Sequence, residues 1–153
     1  EDVLQEDGPI SGNVVLYDLD GHFKAAATSE WLADKGARVT HVTPRAMLGP
    51  EIPGISQYGA NHRIREKDVA VRVSTGIRKI RGNDVVTYDA FSGTEETIPN
   101  VDLVVLAAAG RSNTDLYSAL KRGNIPTHLA GDAMSPRTAL EAVSEGHRAG
   151  RLI

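Results

Sequence analysis

Residues 14–43 read VVLYDLDGHFKAAATSEWLADKGARVTHVT. The first four residues form a continuous apolar run, which is typical of a strand buried on both faces of a parallel sheet. Residues 18–22 have the composition of a turn, and residues 23–35 predict a helix with apolar residues at helical spacing. Gly36 is expected to end this helix, and the alternating, β-branched residues 38–43 predict a second strand. The stretch is therefore expected to fold as a βαβ unit.

The rest of the chain continues this alternation, with an antiparallel excursion in the middle. The predicted elements are a helix over 55–67, strands over 68–73, 77–80, 85–91, 97–98 and 102–107, a helix over about 113–122, a strand over 127–130 and a helix over 136–151. This order predicts an α/β fold with a mostly parallel central sheet and an antiparallel β excursion. Residues 1–12 are polar and rich in glycine and proline, and they are expected to form a linker.

The composition is that of an ordinary globular protein. The chain has 153 residues, of which 41% are hydrophobic and 24% are charged, and its net charge is -3. Nothing in this balance calls for a nucleic-acid or membrane partner. The sequence has no cysteine, which excludes a disulfide framework, a thiol nucleophile and a cysteine-ligated metal cluster within this chain. The absence of cysteine and of a signal-peptide pattern fits a cytoplasmic protein.

The turn after the first strand departs from the dinucleotide-binding pattern G-x-G-x-x-G. Its first two glycine positions hold Asp18 and Asp20, and Gly21 follows. Two carboxylates here are expected to repel a pyrophosphate unless a cation bridges them, so the turn argues against NAD(P)H binding. Arg45, after the second strand, has two interpretations, a ligand of the NADP 2′-phosphate or a surface residue. Three outcomes remain open for this turn: a nucleotide site that is lost or repurposed, an NADP site, or a site for another ligand such as ADP.

Histidines near this turn carry weaker signals. Asp18, Asp20 and His22 have metal-ligating side chains, but turn and capping roles fit such a short cluster better. His41 lies on a predicted strand, where a packed histidine is the favoured interpretation over a general base.

A second motif lies near the end of the chain, where residues 127–133 read THLAGDA. Gly131 lets the backbone approach a ligand closely, and the carboxylate of Asp132 can accept hydrogen bonds from ribityl or sugar hydroxyls. The amides at the start of the following helix can face a pyrophosphate. The alternative role for Asp132, compatible with the first, is to cap the final helix.

Three stretches together, residues 14–23, 36–43 and 129–137, resemble the C-terminal region of the NADH:flavin oxidoreductase family. More narrowly, they resemble its trimethylamine/dimethylamine dehydrogenase-like branch, whose relatives include histamine dehydrogenase and 2,4-dienoyl-CoA reductase. The turn D-x-D-G-[HY]-F at residues 18–23 is the part of the resemblance most specific to this branch. The resemblance covers the chain from about Val14 onward.

The resemblance implies a larger parent enzyme with an N-terminal β/α barrel that holds FMN and substrate. It also implies a cysteine-bound 4Fe-4S cluster and two C-terminal α/β domains. This chain would then form a three-layer, Rossmann-like FAD/NAD(P)-binding domain with a mostly parallel central sheet and an antiparallel β excursion. Residues 13–118 would form the NAD(P)-binding-like domain, and residues 119–153 the last strand and helix of an incomplete FAD/ADP-binding-like domain. The upstream barrel and the other half of the FAD-like domain would be partners of this region. The resemblance further implies a homo-oligomeric parent and an electron-transfer flavoprotein as acceptor.

The family motif also suggests which residues meet the cofactor. Residues 131 and 132 match the motif for the ribityl or ADP end of a dinucleotide, and residues 134–137 would start the last helix and face phosphates. Residues 108–111 match the glycine-containing turn where the chain returns from the NAD-like to the FAD-like domain. The candidate cofactor contacts are Gly131, Asp132, Ala133, Met134, Gly110, Arg111, Asp18, Asp20, Gly21 and Arg45.

Three functions compete at this point. The first is a nucleotide-binding region for FAD or ADP that contains no catalytic residue of its own, because catalysis would belong to the barrel. The second is an NAD(P)H-binding domain of a reductase, against which the lost glycines argue. The third is a structural or docking module with a decayed nucleotide site, against which the retained Gly131 and Asp132 argue.

Overall fold

A computed structural model describes residues 2–5 and 8–152 of the chain. They divide into two compact units, one reaching to Ala108 and the other starting at Ala109. The predicted domain boundary after residue 118 comes from the family resemblance and not from packing. It stays a prediction. In the predicted linker, a short 3-10 helix spans Asp2–Gln5, while Glu1, Glu6 and Asp7 lie outside the described residues.

The first unit contains two sheets and two helices. A parallel sheet has the order β3-β2-β1-β7, and a separate antiparallel sheet has the order β4-β5-β6. The elements are β1 Asn13–Asp18, α1 Phe23–Asp34, β2 Arg38–Val42, α2 Gly54–Glu66, β3 Ala70–Arg72, β4 Thr75–Arg81, β5 Asp84–Asp89, β6 Glu95–Ile98 and β7 Leu103–Ala107. The predicted α/β fold is confirmed, including the antiparallel excursion.

The layers follow from the alternation of side chains along β1. Val14 and Leu16 pack into the cluster that includes Leu32 of α1 and Ile64 of α2. Val15 points to the opposite face. It packs there in a second cluster, which includes residues of the antiparallel sheet. The order of layers is therefore helices, parallel sheet and antiparallel sheet, so the antiparallel strands form the third layer.

The parallel register places three strand ends at one edge of the sheet. β1 pairs in parallel with both β2 and β7, and Asp18 lies opposite Ala107. The amide of Leu19 continues this ladder by donating to the carbonyl of Ala107 at 2.8 Å. Ligands of open α/β sheets bind outside the carboxyl ends of the strands, so the turn after β1 lies where a nucleotide would be expected.

The second unit contains α3 Asp115–Arg122, a 3-10 turn Gly131–Ala133 and α4 Ala139–Gly150. The strand predicted over 127–130 is wrong, because these residues pair with no other strand in the described part of the chain. A strand exists only when a neighbour completes its hydrogen bonds, and a short apolar run does not guarantee one. No helix within residues 2–5 and 8–152 is long and apolar enough to cross a membrane.

The final helix begins three residues later than predicted. Thr138 is its N-cap and forms a capping box with Glu141, so Pro136 precedes the helix instead of starting it. The capping role considered for Asp132 is therefore wrong. Residues 134–137 likewise precede the helix, and the expectation that they form its start is also wrong.

Candidate functional site

The turn after β1 is closed by its own aspartate. Asp18 is fully buried, and its Oδ1 accepts the amides of Asp20 at 2.9 Å and Gly21 at 2.7 Å. The carboxylate that was expected to repel a pyrophosphate thus points inward and uses the backbone donors of the turn. Asp20 is only partly exposed, and its carboxylate lies 3.8 Å from the ammonium of Lys24.

Two further buried side chains continue from Asp18. Nε2 of His41, on β2, lies 3.3 Å from Oδ2 of Asp18, and Nδ1 of His41 lies 2.8 Å from Oγ of Ser29 on α1. All three side chains are fully buried. The favoured sequence interpretation of His41 as a packed histidine agrees with this position, but Ser29 and the link to Asp18 were missed. Strand parity carries the missing signal, because the parallel register pairs His41 with Leu16 and so places it on the face of Asp18.

This serine, histidine and aspartate set is structural rather than catalytic. A nucleophilic serine must meet its substrate, and Ser29 has no exposed surface. The ring is also reversed relative to a catalytic triad, because Nδ1 faces the serine and Nε2 faces the carboxylate. With the Ser29 hydroxyl donating to Nδ1 and the Nε2 proton directed at Asp18, all three groups are satisfied.

The environment of Asp18 favours its charged form. Burial by itself raises the pKa of this carboxyl, but the hydrogen bonds from His41, Gly21 and Asp20 outweigh burial and hold the pKa below its usual value. The negative charge of Asp18 is therefore the form that the fold stabilises.

We expect the free energy of unfolding to depend on pH through Asp18. A carboxyl with a lowered folded-state pKa stabilises the native state above its unfolded pKa of about 3.9, and this contribution is lost as the pH falls through the folded-state value. Urea unfolding from pH 6 down to about pH 3 is expected to show a steeper loss for the wild type than for Asp18→Asn. Parallel curves for the two proteins would contradict the assignment.

The loop after β2 closes the other side of the same turn. Gly21 has a φ of +76°, and its carbonyl accepts the amide of Glu51 at 3.1 Å. A methyl group at Gly21 would lie 3.3 Å from Cγ of Pro50, and Leu48 and Ile52 anchor the loop in the core. The loop therefore packs directly against Gly21.

Arg45 lies at the start of this loop with an exposed side chain. Its amide donates to Oγ1 of Thr43 at 3.3 Å, and its carbonyl accepts the amide of Ser74 at 2.7 Å. Among the described residues, no hydrogen bond or ion pair uses its guanidinium. Contact with an NADP phosphate stays a prediction.

In the second unit, the structure brings the two glycine-containing turns together. Oγ of Ser112, next to Arg111, donates to the carbonyl of Met134 at 3.2 Å. A methyl group at Gly110 would lie 2.9 Å from Cβ of Pro136, so only a glycine fits without displacement. Arg111 itself is exposed. The motifs around residues 110 and 131 therefore form one local structure.

The turn at Gly131 is held by α4. Gly131 has a φ of +60°, and its amide donates to Oε2 of Glu145 at 2.9 Å. Glu145 also pairs with Arg137, so one carboxylate fixes both ends of the segment before the helix. A methyl group at Gly131 would lie 3.3 Å from Cβ of Ala142, which shows how closely turn and helix pack.

Asp132 lies in the turn that Gly131 begins. Its side chain is exposed, and no hydrogen bond or ion pair within the described residues uses its carboxylate. Ala133 completes the 3-10 turn, and the amide of Met134 donates to the carbonyl of Gly131 at 2.9 Å. The geometry leaves Asp132 able to accept hydroxyl groups of a ligand.

The start of α4 is less available to phosphate groups. The side chain of Thr138 accepts the amide of Leu140 at 3.3 Å, and Glu141 accepts the amide of Thr138 at 3.1 Å. Arg137 is engaged by Glu145. The described hydrogen bonds thus support a hydroxyl contact at Asp132 more than a phosphate contact at the helix start.

We expect Gly110→Ala to destabilise the second unit by about 1–3 kcal/mol, because the added methyl overlaps Pro136. Gly146→Ala is the matched control, since a methyl there meets no atom within 4 Å and alanine favours the helix. Amide hydrogen exchange of residues 131–138 reports the difference. Equal protection in the two variants would show that the turns do not pack as described.

No family model matches the chain. The chain is 28% identical over 147 residues to an N,N-dimethylglycine/sarcosine dehydrogenase from Chromohalobacter salexigens, which covers 90% of this chain and 21% of that protein. It is 27% identical over 100 residues to a metal reductase from Desulforamulus reducens, covering 65% of this chain and 14% of that protein. The chain thus spans about a fifth or less of the length of the curated relatives that it matches.

Two solved structures are similar over nearly the whole chain, and a third shares part of the fold. The 6-hydroxypseudooxynicotine amine oxidase from Pseudomonas geniculata N1 aligns with a TM-score of 0.88 and 26% identity, covering 97% of this chain and 23% of that one. Histamine dehydrogenase from Rhizobium sp. 4-9 aligns with a TM-score of 0.84 and 24% identity, covering 98% of this chain and 23% of that one. A thioredoxin reductase from T. acidophilum shares the fold at 16% identity and a TM-score of 0.56, covering 67% of this chain and 33% of that one. The similar proteins carry the names of oxidoreductases, which agrees with the expected nucleotide-binding fold.

Proposed function

We propose that this chain is the C-terminal nucleotide-binding region of a larger flavin-dependent oxidoreductase of the trimethylamine/dimethylamine dehydrogenase-like branch. The observation that carries the proposal is the alignment of 97% of the chain with an amine oxidase at a TM-score of 0.88 and 26% identity. The similarity of 90% of the chain to a dimethylglycine/sarcosine dehydrogenase supports the same class of substrate, an amine. Catalysis belongs in this proposal to the part of the parent that holds FMN and the 4Fe-4S cluster.

The second unit is the part that contributes to a FAD or ADP site. Its exposed acceptor fits the hydroxyl-bearing portion of such a ligand, because the carboxylate of Asp132 has no partner among the described residues. The positive φ of Gly131 turns the backbone beside that carboxylate. A bound FAD would supply electron transfer, whereas ADP would serve as a structural ligand; Asp132 would orient either one through its hydroxyls.

Exposed apolar side chains on the helices of the second unit support the proposal that further polypeptide covers them. Leu140 and Val143, on one side of α4, are 75% and 72% exposed, and Leu116 on α3 is 72% exposed. Such amphipathic helices are stable when their apolar faces are covered. The other half of the FAD-like domain and the barrel would provide this cover, and the electron-transfer flavoprotein would be an external acceptor.

The reductase alternative is disfavoured by the first unit. The amides of Asp20 and Gly21 are used by Asp18, and Glu51 donates to the carbonyl of Gly21. A nicotinamide dinucleotide would have to displace both. We therefore assign no NAD(P)H contact to this turn.

The test is the nucleotide affinity of the larger protein that contains this chain. Asp132→Ala is expected to weaken the binding of FAD or ADP by about 10-fold or more, because a charge-assisted hydrogen bond contributes about 1.5–3 kcal/mol. Asp115→Ala is the matched control, since Asp115 is also an exposed acid in the second unit. Calorimetric titration measures both variants. Unchanged affinity in Asp132→Ala would refute the proposed site, and tight binding of NADH by the wild type would favour the reductase alternative instead.

A further inference from the structure

We propose that the turn after β1 is an anion-binding turn whose anion is the chain's own Asp18 carboxylate. The side chain excludes a nucleotide phosphate from the position that it occupies, and His41 and Ser29 hold it there. This inference concerns the first unit alone and does not depend on what the second unit binds.

The donors of the turn are the first part of the argument. Successive backbone amides at a strand-to-helix turn form a concave group of donors that takes a phosphate oxygen in nucleotide-binding proteins. Here the amides of Asp20 and Gly21 converge on one oxygen of Asp18, at 2.9 and 2.7 Å. His22, the N-cap of α1, contributes no side-chain cap. The anionic acceptor of these two turn amides, which directly precede the N-cap, is therefore a carboxylate from within the chain.

The support behind Asp18 is the second part. Its other oxygen faces Nε2 of His41 at 3.3 Å, and Nδ1 of His41 faces Oγ of Ser29 at 2.8 Å. These side chains come from β1, β2 and α1, so one buried hydrogen-bonded chain connects all three elements of the βαβ unit. Leaving the turn would cost Asp18 its contacts with both the amides and the imidazole. The carboxylate is therefore a fixed occupant of the turn.

The loop that packs against Gly21 gives the third part of the argument. The amide of Glu51 donates to the carbonyl of Gly21 at 3.1 Å, and Pro50 lies close to its Cα. The amide side of this residue is thus occupied by Asp18 and its carbonyl side by the loop. Asp18 competes with a phosphate for this amide, and the loop contact fixes the backbone at Gly21.

A chemical rescue distinguishes an internal anion from a merely structural residue. Asp18→Gly removes the carboxylate and leaves the two amides without their acceptor, a space that formate can fill. Formate is expected to raise the melting temperature of this variant by about 4 °C or more relative to chloride at equal ionic strength. The wild type is expected to show no difference between the two salts. Equal melting temperatures of Asp18→Gly in formate and chloride would overturn the proposal.

Asp20→Gly is the matched control, because its carboxylate belongs to the same turn but accepts neither amide. A formate-specific shift of similar size in this control would also overturn the proposal. If Asp18→Gly does not fold, amide hydrogen exchange is measured in Asp18→Asn instead. Faster exchange at Asp20 and Gly21 than in the wild type supports the internal anion, and unchanged exchange refutes it.

The wild type provides a direct test with inorganic pyrophosphate. We expect the amide resonances of Asp20 and Gly21 to remain unchanged when pyrophosphate is added. Saturable shifts of both resonances would show that the turn accepts an external phosphate and would overturn the proposal.

Discussion

Replacing His41 by leucine is expected to lower the free energy of unfolding by about 3–5 kcal/mol. The substitution leaves the Asp18 carboxylate buried without its imidazole partner, and it removes the acceptor of the Ser29 hydroxyl. Both groups have no exposed surface, so water cannot replace the lost contacts without a change in structure. Leucine has about the same volume as histidine, so the loss reports the polar contacts more than a cavity.

Urea unfolding at neutral pH measures this effect, and His62→Leu is the matched control. His62 also faces a carboxylate, that of Glu66 at 3.3 Å, but these side chains are 60% and 61% exposed. Exposed pairs of this kind contribute about 0–1 kcal/mol. A loss below about 1 kcal/mol in His41→Leu, or equal losses in both variants, would show that the buried network does not stabilise the fold.

The βαβ unit could be predicted from the sequence because its signals are local. The apolar run of β1, the turn composition and the helical spacing of α1 each report on neighbouring residues. The inward direction of the Asp18 side chain was readable from strand alternation too, but the turn composition of residues 18–22 hides it. Asp18 follows an apolar run at the end of a strand and resembles an exposed turn residue, yet strand alternation places it on the face of Val14 and Leu16.

Near the end of the chain, a local pattern predicts an element that the structure does not contain. Residues 127–130 have an apolar pattern, but strand formation depends on a partner elsewhere in the polypeptide. The start of α4 was readable in principle, because Thr138 and Glu141 have the spacing of a capping box. The usual position of proline in the first turn of a helix predicts Pro136 as the first helical residue, but the side-chain cap of Thr138 sets the boundary.

The residues of the candidate site could be named from the local motif and the family resemblance, but their packing could not be predicted. Nothing local in the sequence connects Gly110 with Pro136, and their close approach is a product of tertiary packing. The same holds for Gly131 and Glu145 on α4. The nucleotide contacts of these residues stay predictions, whereas the packing that brings the two turns together is visible in the structure.

Leu32→Ala is expected to lower the free energy of unfolding by about 2–5 kcal/mol. Leu32 has no exposed surface and packs, from α1, in the cluster that joins both helices to the parallel sheet. Its truncation removes apolar contacts and leaves a cavity that the sheet and α2 cannot fully close. Ser29 also lies on α1 and is connected to Gly21 through His41 and Asp18. A loosened helix is therefore expected to increase amide exchange at Gly21 as well.

Ile55→Ala is the control for this last prediction, because Ile55 is on α2 of the same unit but is 95% exposed. Its effect on stability is expected to stay within about 0.5 kcal/mol. Urea unfolding followed by circular dichroism compares the two variants. If Leu32→Ala costs no more than Ile55→Ala, α1 does not pack on the sheet through this face. The support that the structure gives to Ser29 and His41 would then be absent.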